Sequence, residues 1–278
     1  MIQIAVMEYS DVEYAKSLTD IEQWGHREDD FRRLLQLDPE GSFVAWQGDH
    51  RVGIATTVSY NGYAFLGNII VDKKRRGKNI GPALMQHALD YLDKKGIKTI
   101  ELDGVLSAVA MYRHMGFRDK YRSLRLARNP ARSNRGPALY SQCGESAHIL
   151  AEFDYRQTGI QRKGLIGKLV QEFPAGIFCL TTPHLRAYAV IRERANNALA
   201  IGPFIAEDPA ACDAIMACVV TKFGNRRITV GVPETNAAAV ESMLRHDFRH
   251  STPSLRMYRG QRIAYEHHVY AIVSADVG

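Results

Sequence analysis

The chain has 278 residues, 46% of them apolar and 24% charged. This is ordinary globular composition with material for a sizeable core, and the length suits two domains better than one. No apolar run approaches the ~18 residues a membrane helix needs. Residues 1–11 lack the basic start and apolar stretch of a secretory signal. A soluble, cytoplasmic protein with no membrane partner is therefore expected.

The net charge of +6 is mild for a nucleic-acid binder of this size. Its distribution says more. Glu8 to Glu40 holds ten acidic residues against four basic ones, whereas five of the six residues from Lys73 to Lys78 are basic. The first stretch should attract a cation and the second an anion. The basic loop is short and has no interleaved aromatics, so no nucleic-acid partner is expected. Cys143, Cys179, Cys212 and Cys218 form no CxxC pair and no zinc spacing. Buried reduced thiols and no metal site are expected.

In chain order, Ile2 to Met7 reads as a strand. Asp11 to Trp24 and Glu28 to Leu37 have helical spacing, and Pro39 and Gly41 stop the second. Ser42 to Trp46, Val52 to Tyr60 and Ala64 to Val71 read as strands of a meander, with turns at Gly48-Asp49 and Asn61-Gly62. Ile80 to Asp93 is the clearest helix, with Ile80, Ala83, Leu84, Ala88, Tyr91 and Leu92 on one stripe and Gly96 closing it. Lys98 to Leu102 is a strand, Ala108 to Met115 a short helix and Tyr121 to Leu126 a strand. Asn129 to Pro137 is polar and rich in turn formers, the best linker in the chain. Beyond it, helices are expected at Ala147 to Tyr155, Arg162 to Gln171, Pro209 to Phe223 and Asn236 to Arg245. Strands are expected at Ile177 to Leu180, Ala187 to Ile191, Ala198 to Ala206, Ile228 to Val232 and Val269 to Ser274. A shift of 131 residues aligns Ala108 with Ala239, Val109 with Val240, Phe117 with Phe248 and Arg118 with Arg249, a faint internal repeat.

The chemistry concentrates in Ile69 to Gly81. An apolar strand enters a basic, Gly-containing loop that opens the best helix. Such a loop turns successive backbone N–H groups toward one spot, and the helix N-terminus adds partial positive charge. Gly77 and Gly81 allow close approach, and Arg76 and Lys78 add full charges. This pattern suits a diphosphate, although a solvated basic turn would read the same way. Downstream, Leu102-Asp103 ends a strand and Tyr112 to Phe117 follows.

Arg76-Gly77-Lys78-Asn79-Ile80-Gly81 resembles the Arg-x-x-Gly-x-Gly/Ala pyrophosphate loop of GNAT-superfamily acetyltransferases. Tyr112 to Phe117 resembles that family's Tyr-x-x-x-Gly-Phe segment. The resemblance covers about residues 1 to 128. It implies a mixed, mostly antiparallel α/β (α+β) sheet flanked by helices, and acetyl-CoA held by Ile70, Val71, Arg76, Gly77, Lys78, Asn79, Ile80 and Gly81. Asn79 replaces a usual Gly but tolerates left-handed angles. Val105 stands where many members carry an Asn near the pantetheine arm. Leu102-Asp103 followed by Tyr112 is similar to a bacterial subgroup with a second, diverged domain. The organisation implied is an acetyl-CoA domain at 1–128, a linker at 129–137 and a diverged copy at 138–278.

The activity implied is N-acetyl transfer to a primary amine, on a small molecule or a lysine side chain. Acyl transfer needs a donor to the thioester carbonyl, a base for the amine and an acid for the thiolate. The resemblance gives the first role to the strand Ile69 to Val71, Val71 foremost, and the last to Tyr112, whose bland alternative is a packing aromatic. Asp103 and Glu101 share a strand face and are candidate bases. Asp103 is equally a cap or a structural carboxylate. His26 and Asp30 lie where the family borders its acceptor, and read as solvated polar residues otherwise. In the second half, Ala206 to Cys212 has no glycine or basic residue and carries Glu207 and Asp208, which would repel a diphosphate. The second copy is expected to wall the acceptor pocket or to form a homodimer. The reading from another class is a non-catalytic acyl-CoA-binding or regulatory module.

Overall fold

The structure is a computed structural model, and it describes residues 1–131 and 143–278. The end of the expected linker, 132–137, lies outside the described residues. The chain forms two compact units. The first comprises Met1–Asp119, Met257–Arg262 and Ala275–Gly278, and the second Lys120–Arg256 and Ile263–Ser274.

The first unit runs β1 (Ile2–Val6), α1 (Val12–Ile21), α2 (Glu28–Leu37), β2 (Ser42–Gln47), β3 (His50–Tyr60), β4 (Tyr63–Val71), α3 (Ile80–Lys94), β5 (Thr99–Gly104) and α4 (Val109–His114). Strands β1 to β4 are antiparallel neighbours, and β4 pairs with β5 in parallel. Gly48 and the Asn61-Gly62 pair take positive φ at the two hairpin turns, as their residue types favour. Helix α3 buries Ile80, Leu84, Met85, Ala88, Leu89 and Leu92, at i, i+4 and i+1 steps along one stripe. Each of the larger side chains contributes about 1.5–3 kcal/mol on burial. Gly96, at φ +70°, ends the helix in the left-handed conformation.

One irregularity sets the geometry of this sheet. Ile54 pairs with Ile70 but Thr56 pairs with Gly67, so β4 spends one residue more than β3. That extra residue is a bulge, and Asn68 beside it sits at φ +49° with its Nδ2 donating to Thr56 Oγ1 at 3.1 Å. On the other side of β4, the parallel ladder to β5 covers only Tyr63–Phe65 against Thr99–Glu101. Past the bulge the two strands part.

Several acids of the stretch expected to attract a cation have partners of their own. Asp11 pairs with Arg51 at 2.6 Å, Asp20 with Lys16 at 2.5 Å, Asp38 with Lys95 at 3.1 Å, and Glu28 and Asp29 with Arg32 at 2.5 and 3.0 Å. Asp30 is buried against Arg33. Lys16, Arg32 and Arg33 lie within the stretch at helical spacing, and Arg51 and Lys95 from outside it offset two of its six excess negative charges.

The chain continues with β6 (Arg118–Arg128), α5 (Ala147–Thr158), α6 (Lys163–Glu172), β7 (Ile177–Leu180), β8 (Ala187–Glu193), β9 (Leu199–Ala206), α7 (Pro209–Phe223), β10 (Ile228–Pro233), α8 (Ala237–Arg245), β11 (Arg249–His250), β12 (Ser254–Gly260) and β13 (Val269–Ala271), all in the second unit except the start of β6 and the end of β12. Here β7, β8 and β9 are antiparallel, β9 and β10 parallel, β10 and β6 antiparallel, and β13 is antiparallel to β9. Its core includes Phe178, Ile201, Met216, Val219, Val230 and Phe248. The bulge recurs: Ala189 pairs with Phe204 and Ile191 with Ile201, so β9 spends the extra residue at Gly202-Pro203. Its parallel ladder to β10 likewise covers only Leu199–Ile201 against Ile228–Val230. The fold class expected from the sequence, two tandem mixed sheets flanked by helices, is the one observed.

Two features escape the sequence reading. Strand β12 was not expected, because its arginines break the alternation of apolar residues. Arg256 is nonetheless fully buried, donating to the Tyr265 hydroxyl at 2.7 Å. The thiols need a correction as well. Cys143 and Cys179 form a disulfide, with Cα atoms 4.9 Å apart, that ties the chain before α5 to β7. Cys212, buried, and Cys218, half-buried, are free. A cross-link spanning 36 residues should contribute about 3–4 kcal/mol by restricting the unfolded chain. Urea unfolding with and without reductant should show a loss of that size, and Cys179→Ser should abolish the reductant dependence.

Candidate functional site

The basic loop is built as a cradle. Asp72 caps a short turn by accepting the Lys74 N–H at 2.9 Å. Gly77 and Asn79 then take φ of +77° and +57°. The left-handed Asn79 stands immediately before α3, so the first N–H groups of that helix open toward the loop. Asparagine meets the backbone requirement that usually selects Gly there. A Cβ on Gly81 would meet only Val71 Cγ2, at 3.7 Å, so the cradle is open at that point. Arg76 is held at its rim, donating from Nε to Val71 O at 3.1 Å and from Nη2 to Glu22 Oε1 at 2.6 Å. Lys78 is exposed.

The parted strands supply a second set of donors. The Asp72 N–H is bonded to Val52 O of β3 at 3.0 Å. By the period of two, the Ile70 N–H also faces β3. The Val71 N–H, and that of Ile69, face the side from which β5 has departed. Ile69 was not among the cofactor residues expected from sequence; the signal that finds it is the bulge, which has no local sequence mark except Gly67-Asn68.

Tyr112 lies within the first unit at 4% exposure. Its ring makes an edge contact with Phe117 and lies flat on β5, where a Cβ on Gly104 would come 2.8 Å from Cε2. Loss of solvent pushes its phenol up to about 12. It therefore stays protonated throughout the neutral range. Glu101 and Asp103 share a face of β5. Glu101 is fully buried and accepts the Tyr63 hydroxyl at 3.1 Å, while Asp103 is half-buried. Val105 is 43% exposed at the end of β5. His26 and Asp30, read from sequence as solvated, are each 4% exposed, a correction that the apolar packing of Trp24 and Phe31 around His26 explains.

The second unit keeps the architecture and fills it. Asp208 caps α7, accepting the Ala211 N–H at 2.9 Å and pairing with Arg186, so a carboxylate occupies the helix N-terminus where an anion would sit. Strand β13 lies along β9 past the bulge, with Ala271 paired to Phe204 and Val269 to Ile205. The Ile272 N–H donates to Gly231 O of β10 at 3.0 Å. The gap between β9 and β10 thus has its hydrogen bonds met by the chain itself. A cavity of about 470 Å³ remains at its mouth, lined by Glu207, Pro209, Asn236, His267, His268 and Tyr270.

A bulged strand, a parallel neighbour that parts from it and a helix that follows occur in both units, whereas the basic loop before the helix belongs to the first alone. The acetyltransferase (GNAT) family model matches residues 7–117, and a GNAT-domain model matches residues 150–271. The chain belongs to the GNAT superfamily and carries two GNAT domains. Holothin acyltransferase from Pseudoalteromonas sp. is 24% identical over 261 residues, 92% of this chain and 88% of that protein. The [ribosomal protein bS18]-alanine N-acetyltransferase of Escherichia coli is 32% identical over 81 residues, which cover 28% of this chain and 55% of that protein. A structure described as an acetyltransferase from Pyrococcus horikoshii matches at TM-score 0.83 and 21% identity, covering 100% of this chain and 96% of that one. A tandem GNAT protein of the clavulanic acid pathway matches at TM-score 0.63 and 15% identity, covering 95% and 100%. Likeness at these identities shows the fold. Among the described residues no group of His, Cys, Asp or Glu could hold a metal ion, and no helix is long and apolar enough to cross a membrane.

The Tyr112 seat depends on Gly104. Gly104→Ala should destabilise the protein by about 1–3 kcal/mol through overpacking. Urea denaturation should show that loss, and Tyr112→Leu in the same chain should recover part of it.

Proposed function

We propose that this protein is an acetyl-CoA-dependent N-acetyltransferase and that its first GNAT domain is the working one. The single observation that carries the reading is the juxtaposition of the open cradle at Arg76–Gly81 with the Val71 N–H that β5 leaves unpaired. The residues present fit the cosubstrate. Two left-handed positions and a helix N-terminus suit a diphosphate, and the space beside Gly81 admits one. Arg76, Gly77, Lys78, Asn79, Ile80 and Gly81 would hold the diphosphate, with Ile70 and Val71 beside the acyl end. Acetyl-CoA supplies an acetyl group already activated as a thioester.

The chain's own groups do the rest. Val71, and Ile69 with it, presents N–H donors fixed in advance toward developing negative charge on the carbonyl oxygen, the largest usual catalytic contribution. Tyr112, kept neutral by burial, holds a proton for the leaving sulfur. Its position on Gly104 fixes the ring. On the acceptor side β5 presents Asp103 and Glu101, of which Asp103 is the less buried. The acceptor is proposed to be a primary amine on a small molecule or a lysine. The second GNAT domain, its gap filled by β13, is proposed to bind no acetyl-CoA. A cytoplasmic setting is proposed with one condition, that the Cys143–Cys179 bond persists there as such bonds do in hyperthermophiles.

Glu101 supports a second reading, a binding module without transfer, because complete burial withdraws one of the two β5 carboxylates from chemistry. Calorimetry and turnover separate the two. Acetyl-CoA should bind the full chain once, and Gly81→Glu should weaken it by about 2–4 kcal/mol through lost charge-assisted hydrogen bonds. Unchanged affinity would remove the loop from the site. Tyr112→Phe should lower kcat by ~10²–10⁴-fold at nearly constant KM for acetyl-CoA. Retained binding with no transfer to any primary amine would favour the module.

A further inference from the structure

His26 is a buried titratable group that the reading above leaves without a task. It sits on the turn between α1 and α2, with the Trp24 and Phe31 rings centred 6.2 and 5.7 Å from its own. Both ring nitrogens are shut off from water, and neither has a hydrogen bond among the described residues. An imidazole always carries a donor, and when neutral an acceptor as well. Burying both unmet is costly, and such exceptions concentrate where a ligand or a reaction uses them. Asn68 Oδ1, at the β4 bulge, is one of several other buried polar atoms with no hydrogen bond among the described residues.

The carboxylate of Asp276 faces the imidazole, with Oδ2 3.5 Å from His26 Nε2 and both side chains less than a tenth exposed. Asp276 belongs to the segment Ala275–Gly278, which lies on β4. A Cβ on Gly67 would come within 2.6 Å of Asp276 Cα, and one on Gly278 within 2.9 Å of the Phe65 ring. The Tyr60 hydroxyl donates to Val277 O at 3.0 Å. Gly67, having no side chain, admits Asp276 at the start of the bulge. Ile69 follows Gly67 by two residues across the bulge, at most roughly 7 Å of chain. The pair thus stands within a small molecule's length of the N–H groups on Ile69 and Val71. The other charged groups nearby are Arg27 on the same turn and Asp30 and Arg33 on α2. Asp30 accepts the Arg27 N–H at 2.9 Å and pairs with Arg33.

We propose that His26 takes the proton from the attacking amine and that Asp276 orients its ring and supports the imidazolium. This rests on the acetyltransferase reading and adds its missing base. With Nε2–H turned to Asp276, Nδ1 is left as the base. Nδ1 receives the proton that the amine nitrogen gives up as that nitrogen bonds to the acetyl carbonyl carbon. The carbon–sulfur bond breaks with its electron pair on sulfur, and Tyr112 passes its proton there. Each turnover leaves one proton gained on His26 and one lost from Tyr112, and transfer of that proton to the Tyr112 phenolate closes the cycle.

The test uses the full chain, acetyl-CoA, and a panel of a diamine, a lysine peptide and an amino sugar. His26→Gln should lower kcat/KM by roughly 10²-fold or more and remove the acid limb of its pH profile, with acetyl-CoA affinity within about twofold of wild type. Asp276→Asn keeps shape and volume, and so carries the test if His26→Gln does not fold. It should lower kcat by roughly tenfold or more at nearly constant KM for acetyl-CoA, because the ring loses the carboxylate that orients it. A kcat/KM within about threefold of wild type in His26→Gln would overturn the proposal. So would an acid limb that survives in that variant but disappears in Asp103→Asn, or an Asp276→Asn kcat within about threefold of wild type. A wild-type chain that binds no acetyl-CoA would instead overturn the acetyltransferase reading.

Discussion

The structure of the first unit turns on one extra residue in β4. An uninterrupted strand would pair with β3 on one side and β5 on the other, and its backbone groups would be fully spent. The bulge beside Asn68 keeps the β3 ladder but ends the β5 ladder at Phe65 and Glu101. The N–H groups beyond are then turned outward with no sheet partner. The chain carries straight on from them into the left-handed Gly77 and Asn79 and the start of α3. These N–H groups and the basic loop are thus one continuous piece of backbone, held by the α3 core.

The second unit shows that the bulge alone does not make a site. It has the same register slip, at Gly202-Pro203, and the same short parallel ladder. There β13 and the Ile272 N–H satisfy the opened edge. Asp208 satisfies the first helix turn. An unpaired edge inside a protein demands a partner. One copy meets that demand with its own chain, and the other is proposed to meet it with the cosubstrate.

Charge is managed in the same way. Acids of the run near the N-terminus pair with Arg51, Lys16, Arg32, Arg33 and Lys95. Glu22 holds Arg76 at the rim of the cradle. Buried polar groups have their protonation set by their surroundings. Tyr112 illustrates this, since burial against Gly104 and Phe117 is what keeps its proton in place.

Much of this was legible in the residues. Helix α2, strand β7 and helix α7 fall where their spacing and end signals predict, because those signals act over a few neighbouring residues. The loop Arg76–Gly81 and the Tyr112–Phe117 segment were also local, and Asn79 took the left-handed angle that its side chain tolerates. Other features were decided by partners distant in the chain. The Cys143–Cys179 bond joins residues whose spacing announces no pairing. Strand β12 looked too charged to be a strand until a buried Tyr265 accepted from Arg256. Burial of His26 depends on Trp24 and Phe31 closing around it, with Asp276 arriving from the far end of the sequence. Periodicity reports which face of an element is apolar, not what that face will meet. The sequence alone therefore determined the elements, the tandem fold and the phosphate-type loop. Only the tertiary structure decided which gap stayed open, which acids were already paired and which histidine was sealed inside, because those outcomes depend on contacts between distant segments.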